Sequence, residues 1–164
     1  FGSRTNLEAV FLLGGFGVKV TGRRAVVTTF SGFLDFGDWT VQGLPFYGGN
    51  VTYHISVIGK GHPMKIKVGK FRSPVLRVDY REKKQGNIAF SPYELITEKI
   101  EKGEQRIDIT AFGNRLNTFG ALHNCDDSDH KAAPEYWRSE GDAWSYEYCL
   151  QSAGILKAPE ITRC

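Results

Sequence analysis

No apolar run in the 164-residue sequence approaches the roughly 20 residues that a membrane-crossing helix needs, and the N-terminus lacks the basic, apolar and small-residue order of a secretory signal. The sequence therefore predicts a soluble chain with no membrane partner. Because Phe1 rather than Met begins it, export history stays open, and so does the compartment, extracellular or cytoplasmic. Cysteine is scarce. Cys125, Cys149 and Cys164 cannot all pair within one chain, and no CxxC spacing marks a metal or redox site. A Cys125–Cys149 disulfide and free thiols both remain open. Charge of one sign is also lacking: 21 basic residues face 18 acidic ones, a net +3 spread thinly apart from short patches such as 81–84. That excess is too small to drive phosphate binding, which argues against nucleic acid as a partner. There is no GxSxG, HExxH, P-loop or Cys/His nucleophile signature, so the sequence specifies no catalytic residue. A glycosidase needs two carboxylates about 5 to 10 Å apart. Asp35 with Asp38, or the acidic group at 126–129, supplies carboxylates in no assigning pattern.

What is present reads as β-structure. Apolar residues at 41% and charged residues at 24% are ordinary for a globular chain, and the length suits one domain over residues 1–164. Nineteen Gly, seven Tyr and eleven Phe, with many Val, Ile and Thr, favour strands joined by tight turns. Residues 24–30, 51–57, 64–68, 75–79 and 106–112 alternate or carry β-branched side chains, with turn residues between them. Strands at this frequency, without amphipathic helices between them, predict an all-β antiparallel sandwich or barrel. In 64–68, Lys65 and Lys67 point one way and Met64, Ile66 and Val68 the other, which gives that strand one solvated face. The one short-helix candidate is 91–103, where Pro92 and Gly103 suit helix ends, but an irregular turn into a strand fits equally. Residues 126–141 are polar and predict a long loop.

Several segments carry a resemblance. FGDWTVQGLPFYGGNVTYHI (36–55) resembles a strand-turn-strand unit of β-sandwich domains in large bacterial glycoside hydrolases. VLRVDYREKKQGNIAFSPYELI, continued by EKGEQRIDITAFGNRLNTFGALHN, resembles the galactose-binding-like jelly-roll domain of glycoside hydrolase family 2 and rhamnosidase-like enzymes. The matching positions are Val78, Asp79, Gly86, Pro92, Tyr93, Ile96, Thr97 and Gly103. NLEAVFLLGGFGV (6–18) and GILKAP (154–159) are similar to the segments that enter and close such a domain. The sequence departs from the pattern before Gly86, where 81–85 (REKKQ) reads as a longer basic insertion. The resemblance implies a jelly roll that is a piece of a larger enzyme, with carbohydrate and the catalytic domain of the same chain as partners. It also implies a structural calcium, with no cofactor required.

The stretch FGNRLNTFGALHN (112–124) supplies the binding candidates. Asn114, Arg115, Asn117 and His123 can hydrogen-bond vicinal hydroxyls, and an aromatic face can cover the C–H patches of a sugar ring. Against this, the two Asn side chains suit backbone groups in a tight corner, with Arg115 paired to a following carboxylate. Trp137, in the polar loop, and Trp144 are the stacking candidates, alongside Tyr146. Trp39 and Tyr47 flank 43–45 and are expected to pack a bend or a neighbouring domain. Asp126, Asp127 and Asp129 suit Ca²⁺ by their oxygens, while His123, Cys125 and His130 suit Zn²⁺; a solvated acidic loop is the competing expectation. The functional expectation is a non-catalytic carbohydrate-binding or accessory domain. A purely structural interdomain module and a small glycoside hydrolase or lyase are the alternatives.

Overall fold

A computed structural model describes residues 12–126 and 136–164. The architecture is an all-β antiparallel sandwich. One layer is a four-stranded sheet in the order β3 (Val51–Gly59), β9 (Gly103–Ala111), β6 (Leu76–Tyr80), β7 (Lys83–Ile88). The other is a three-stranded sheet in the order β11 (Glu160–Arg163), β4 (His62–Lys67), β8 (Glu94–Ile100). A short pair, β5 (Phe71–Arg72) with β10 (Gly154–Ile155), extends the wall, and a hairpin, β1 (Gly17–Thr21) with β2 (Arg24–Thr28), precedes it.

Period-two alternation builds the core. Ile107, Ile109 and Ala111 of β9 point inward with Leu76, Val78 and Tyr80 of β6, and meet Ile66, Val68, Ile100 and Ile155 from the opposite layer. Each fully buried Ile or Leu contributes roughly 1.5 to 3 kcal/mol over its exposed state. Tyr53 of β3 stacks on Phe36 at 5.0 Å, and its hydroxyl accepts the Ile155 N–H at 3.4 Å. Burial pushes the Tyr53 phenol up from its ordinary range, which keeps that hydroxyl neutral. Trp39 is fully buried, with its ring 6.2 Å from Tyr47 and edge-on to it, so this Trp packs the bend.

Of the two readings of 91–103, the strand wins. Lys65 pairs with Ile96, Ile66 with Leu95 and Lys67 with Glu94, so β4 offers residues 94–100 a ladder. A bulge between Pro63 and Lys65 leaves Met64 out of register, and its N–H donates to the buried Thr97 hydroxyl at 3.1 Å. The helical turn instead falls at α1 (Leu116–Phe119). The segment 81–85 is not a long insertion. Arg81 and Glu82, with φ of 51° and 61°, make a two-residue hairpin turn, and 83–85 belong to β7. Ion pairs from Arg81 to Glu101 (2.6 Å) and Lys83 to Glu98 (2.7 Å) cross to the neighbouring segments.

Candidate functional site

The end of the sandwich where β9 leaves the sheet gathers three loops: 43–50, 112–126 and 141–151. Gly113 lies two residues past the end of β9, and its N–H donates to Asn50 Oδ1 at 3.2 Å. Its missing side chain lets the Gly48–Gly49 backbone lie against it. Thr118 of α1 donates its hydroxyl to the Phe46 carbonyl at 2.8 Å, and the Tyr47 hydroxyl donates to the Asn50 carbonyl at 3.1 Å. Two of these bonds fix the first loop on the second, and the Tyr47 bond braces the first loop internally.

The third loop is zipped to 122–125. Cys149 donates its N–H to the Leu122 carbonyl (2.7 Å), Ser145 to His123 (2.8 Å) and Cys125 to Ala143 (2.9 Å). His123 Nδ1–H donates to the carbonyls of Ser145 (3.0 Å) and Glu147 (3.2 Å). This pairing lines up a row of rings. Phe46 meets Tyr148 at 5.3 Å, Tyr148 meets His123 at 5.0 Å, His123 meets Trp144 at 6.0 Å, and Trp144 meets Tyr146 at 4.4 Å, edge to face. Tyr146 is 68% exposed. At the Phe46–Tyr148 end the row opens into a cleft of about 820 Å³, where Tyr47, Arg115, Thr118 and Phe119 face the β1–β2 hairpin.

The sequence candidates take different places here. Arg115 is exposed in the cleft and forms no ion pair with a carboxylate among the described residues. Asn114 Oδ1 accepts the Leu116 N–H at 3.0 Å and so starts α1. Asn117 is buried, and its amide clamps one residue of the third loop: Nδ2 donates to the Gln151 carbonyl at 2.7 Å and Oδ1 accepts the Gln151 N–H at 2.9 Å. Trp144 is half-buried within the ring row, whereas Trp137 stands 61% exposed outside it. Asp127, Asp129 and His130 lie outside the described residues. Asp126 donates its backbone N–H to Asn124 Oδ1 at 2.9 Å, and among the described residues no three His, Cys, Asp or Glu side chains cluster for a metal. The fit of a calcium ion therefore turns on carboxylates outside that set. Among the described residues no disulfide joins Cys125, Cys149 and Cys164.

Asp38, one of the carboxylates the sequence singles out, is held by local donors. Asp38 Oδ1 accepts the Thr40 N–H (2.9 Å), the Thr40 hydroxyl (2.8 Å) and the Ala153 N–H (3.1 Å). Asp79 and Asp108 stand opposite each other across β6 and β9, but Arg77 reaches Asp79 at 2.7 Å, and Arg106 (3.0 Å) and His54 (2.7 Å) reach Asp108. Like charges placed opposite across strands are destabilising unless neutralised in this way. Sequence reasoning missed Phe46 and Tyr148 as members of the ring row and Asn124 as a buried pivot, 1% exposed. No local periodicity marks them.

No family model and no curated protein matches this chain. Two solved structures are similar in part. One is a rhamnosidase from Novosphingobium sp. PP1Y, at 17% identity and a TM-score of 0.48, over 98% of this chain and 16% of that one. The other is a GH2 beta-galacturonidase from Eisenbergiella tayi bound to glycerol, at 19% identity and a TM-score of 0.48, over 89% of this chain and 22% of that one. Both are glycoside hydrolase chains. The present chain spans less than a quarter of the length of either.

Proposed function

We propose that this chain is a non-catalytic carbohydrate-binding β-sandwich serving a larger bacterial glycoside hydrolase as an accessory domain. The observation that carries the reading is the row of rings ending in the half-buried Trp144 and the exposed Tyr146 and leading to a cleft that holds an Arg without a carboxylate partner among the described residues. Aromatic faces suit sugar C–H patches, and a planar guanidinium suits adjacent hydroxyls. Protein contacts replace water contacts at each hydroxyl, so affinity is modest. Trp144→Ala and Arg115→Ala are each expected to weaken retention on a polysaccharide panel about tenfold, equivalent to about 1.4 kcal/mol. Trp137→Ala tests whether the loop Trp adds a second platform. Unchanged retention in all three variants would overturn the reading.

A second reading has its own support. Leu12, Leu13, Val26, Val27 and Phe33 are exposed on and around the β1–β2 hairpin, a surface suited to packing on the catalytic domain of the same polypeptide. The two readings share the wall of the cleft that Leu12, Leu13 and Val27 line, whereas the exposed Tyr146 end of the ring row lies outside that wall. A calcium ion held by Asp126, Asp127 and Asp129 belongs to this proposal. EDTA is then expected to lower the melting temperature without abolishing retention.

A further inference from the structure

Lys65, Arg77, Arg81, Lys83, Arg106 and Lys157 each reach a carboxylate. Several other described cations do not, and at the β3–β4 turn such cations are gathered in one place. Lys60, His62 and Arg163 line a cavity of about 480 Å³ between β3, the edge of one sheet, and β4 with β11 at the edge of the other. Lys99 and Lys102 flank the same turn, since a methyl group at Gly61 would touch Lys102 Cγ at 3.5 Å and Lys99 Cε at 3.7 Å. None of these side chains forms an ion pair with a carboxylate among the described residues, and no carboxylate lines the cavity. The acids nearest by position are Glu101, beside Gly59 and held by Arg81 at 2.6 Å, Glu104, opposite Ile58 on β9, and Glu160, which reaches Lys157 at 3.8 Å.

The cavity is also shaped. Arg163 Nη2–H donates to His62 Nε2 at 3.1 Å, which holds the guanidinium at the mouth by one nitrogen and leaves the rest of its fork for a ligand. Ile58, Pro63, Met64 and Pro159 supply apolar surface beneath these cations. A cationic rim over an apolar floor suits a ring that carries a carboxylate: the guanidinium takes the two oxygens side by side and the floor covers ring C–H groups.

We infer that this edge cavity is a second binding site, selective for saccharides bearing a carboxylate, with Arg163 and Lys60 as the anion contacts. The choice of a saccharide rests on the carbohydrate reading above; the anion selectivity does not. The test is calorimetric titration of the chain with uronic-acid oligosaccharides and with the same oligosaccharides after carboxyl reduction to neutral sugars. The acidic forms are expected to bind at least tenfold more tightly. Lys60→Ala/Arg163→Ala should erase that difference, and Arg163→Lys, which keeps the charge and loses the fork, should lose most of it. Equal affinity for acidic and reduced forms, an unaffected double variant, or matching affinity for dextran sulfate or duplex DNA would overturn the inference. Trp144→Ala separates the two sites. If it abolishes neutral-glycan retention yet spares the acid preference, both stand. If neutral retention never existed but Arg163-dependent uronate binding does, only the rim site falls.

Discussion

Gly113→Ala is expected to destabilise the chain by about 3 kcal/mol, at the upper end of what overpacking ordinarily costs. A Cβ there would lie 2.6 Å from the Gly48 carbonyl oxygen and nearer still to that of Gly49. Both obstacles are backbone, on a loop tied down by Asn50 and Thr118, so neither can swing aside as a side chain would. The loop must lift, and with it Tyr47 and Phe46, which line the cleft. Denaturant unfolding should therefore show a lowered midpoint at unchanged slope, and glycan retention should fall with it. Gly69→Ala is the control. Its added methyl meets nothing within 4 Å, so stability should change by no more than about 0.5 kcal/mol.

Asn117→Ala is expected to cost about 2 to 3 kcal/mol. It removes two hydrogen bonds to Gln151 and strands a peptide N–H and C=O in a part-buried position. For a domain of this size that is a fall of about 5 to 10 °C in melting temperature. Asn117→Asp is the sharper test because it conserves shape. One carboxylate oxygen still accepts the Gln151 N–H, but the other faces the Gln151 carbonyl at the 2.7 Å position now held by Nδ2. The charged form is disfavoured on folding, so the folded-state pKa of the new carboxyl rises above its unfolded value. Its stability is then present below the unfolded pKa and is lost as pH rises through the folded pKa. The Asp variant should recover part of its stability in acid, where a protonated oxygen can donate to the carbonyl. The Ala variant should show no such recovery.

These two positions also mark where the sequence could be read and where it could not. The strands of the core announce themselves because burial on one face demands alternation: Ile66 with Val68 and Ile107 with Ile109 point inward while Lys65 and Lys67 stay toward solvent. The strand at β8 is ambiguous in isolation, since Leu95, Thr97 and Ile100 suit either period, and it is decided by the ladder that β4 presents and by the Thr97 hydroxyl that fills the β4 bulge. The hairpin turn at Arg81 and Glu82 escapes notice because neither residue is the Gly or Asn that left-handed backbone usually takes. In the candidate site, the crowding of Asn and Arg in 112–124 signals a polar corner, and Asn114 and Asn117 are used there on backbone groups. The ring row is different. Phe46, His123, Trp144 and Tyr148 meet only because 122–125 pairs with 143–149, a contact between irregular segments that no period encodes.

The rim of the sandwich, rather than its faces or its interior, is where this account places carbohydrate. Backbone and indole NMR spectra of the ¹⁵N-labelled chain, titrated with the best-retained glycan of the panel, test that placement residue by residue. Saturable shifts are expected at Arg115, His123, Trp144 and Tyr146, with the β6 and β9 amides unmoved. Shifts confined to the β1–β2 hairpin, or no perturbation of those four residues by any glycan, would contradict it.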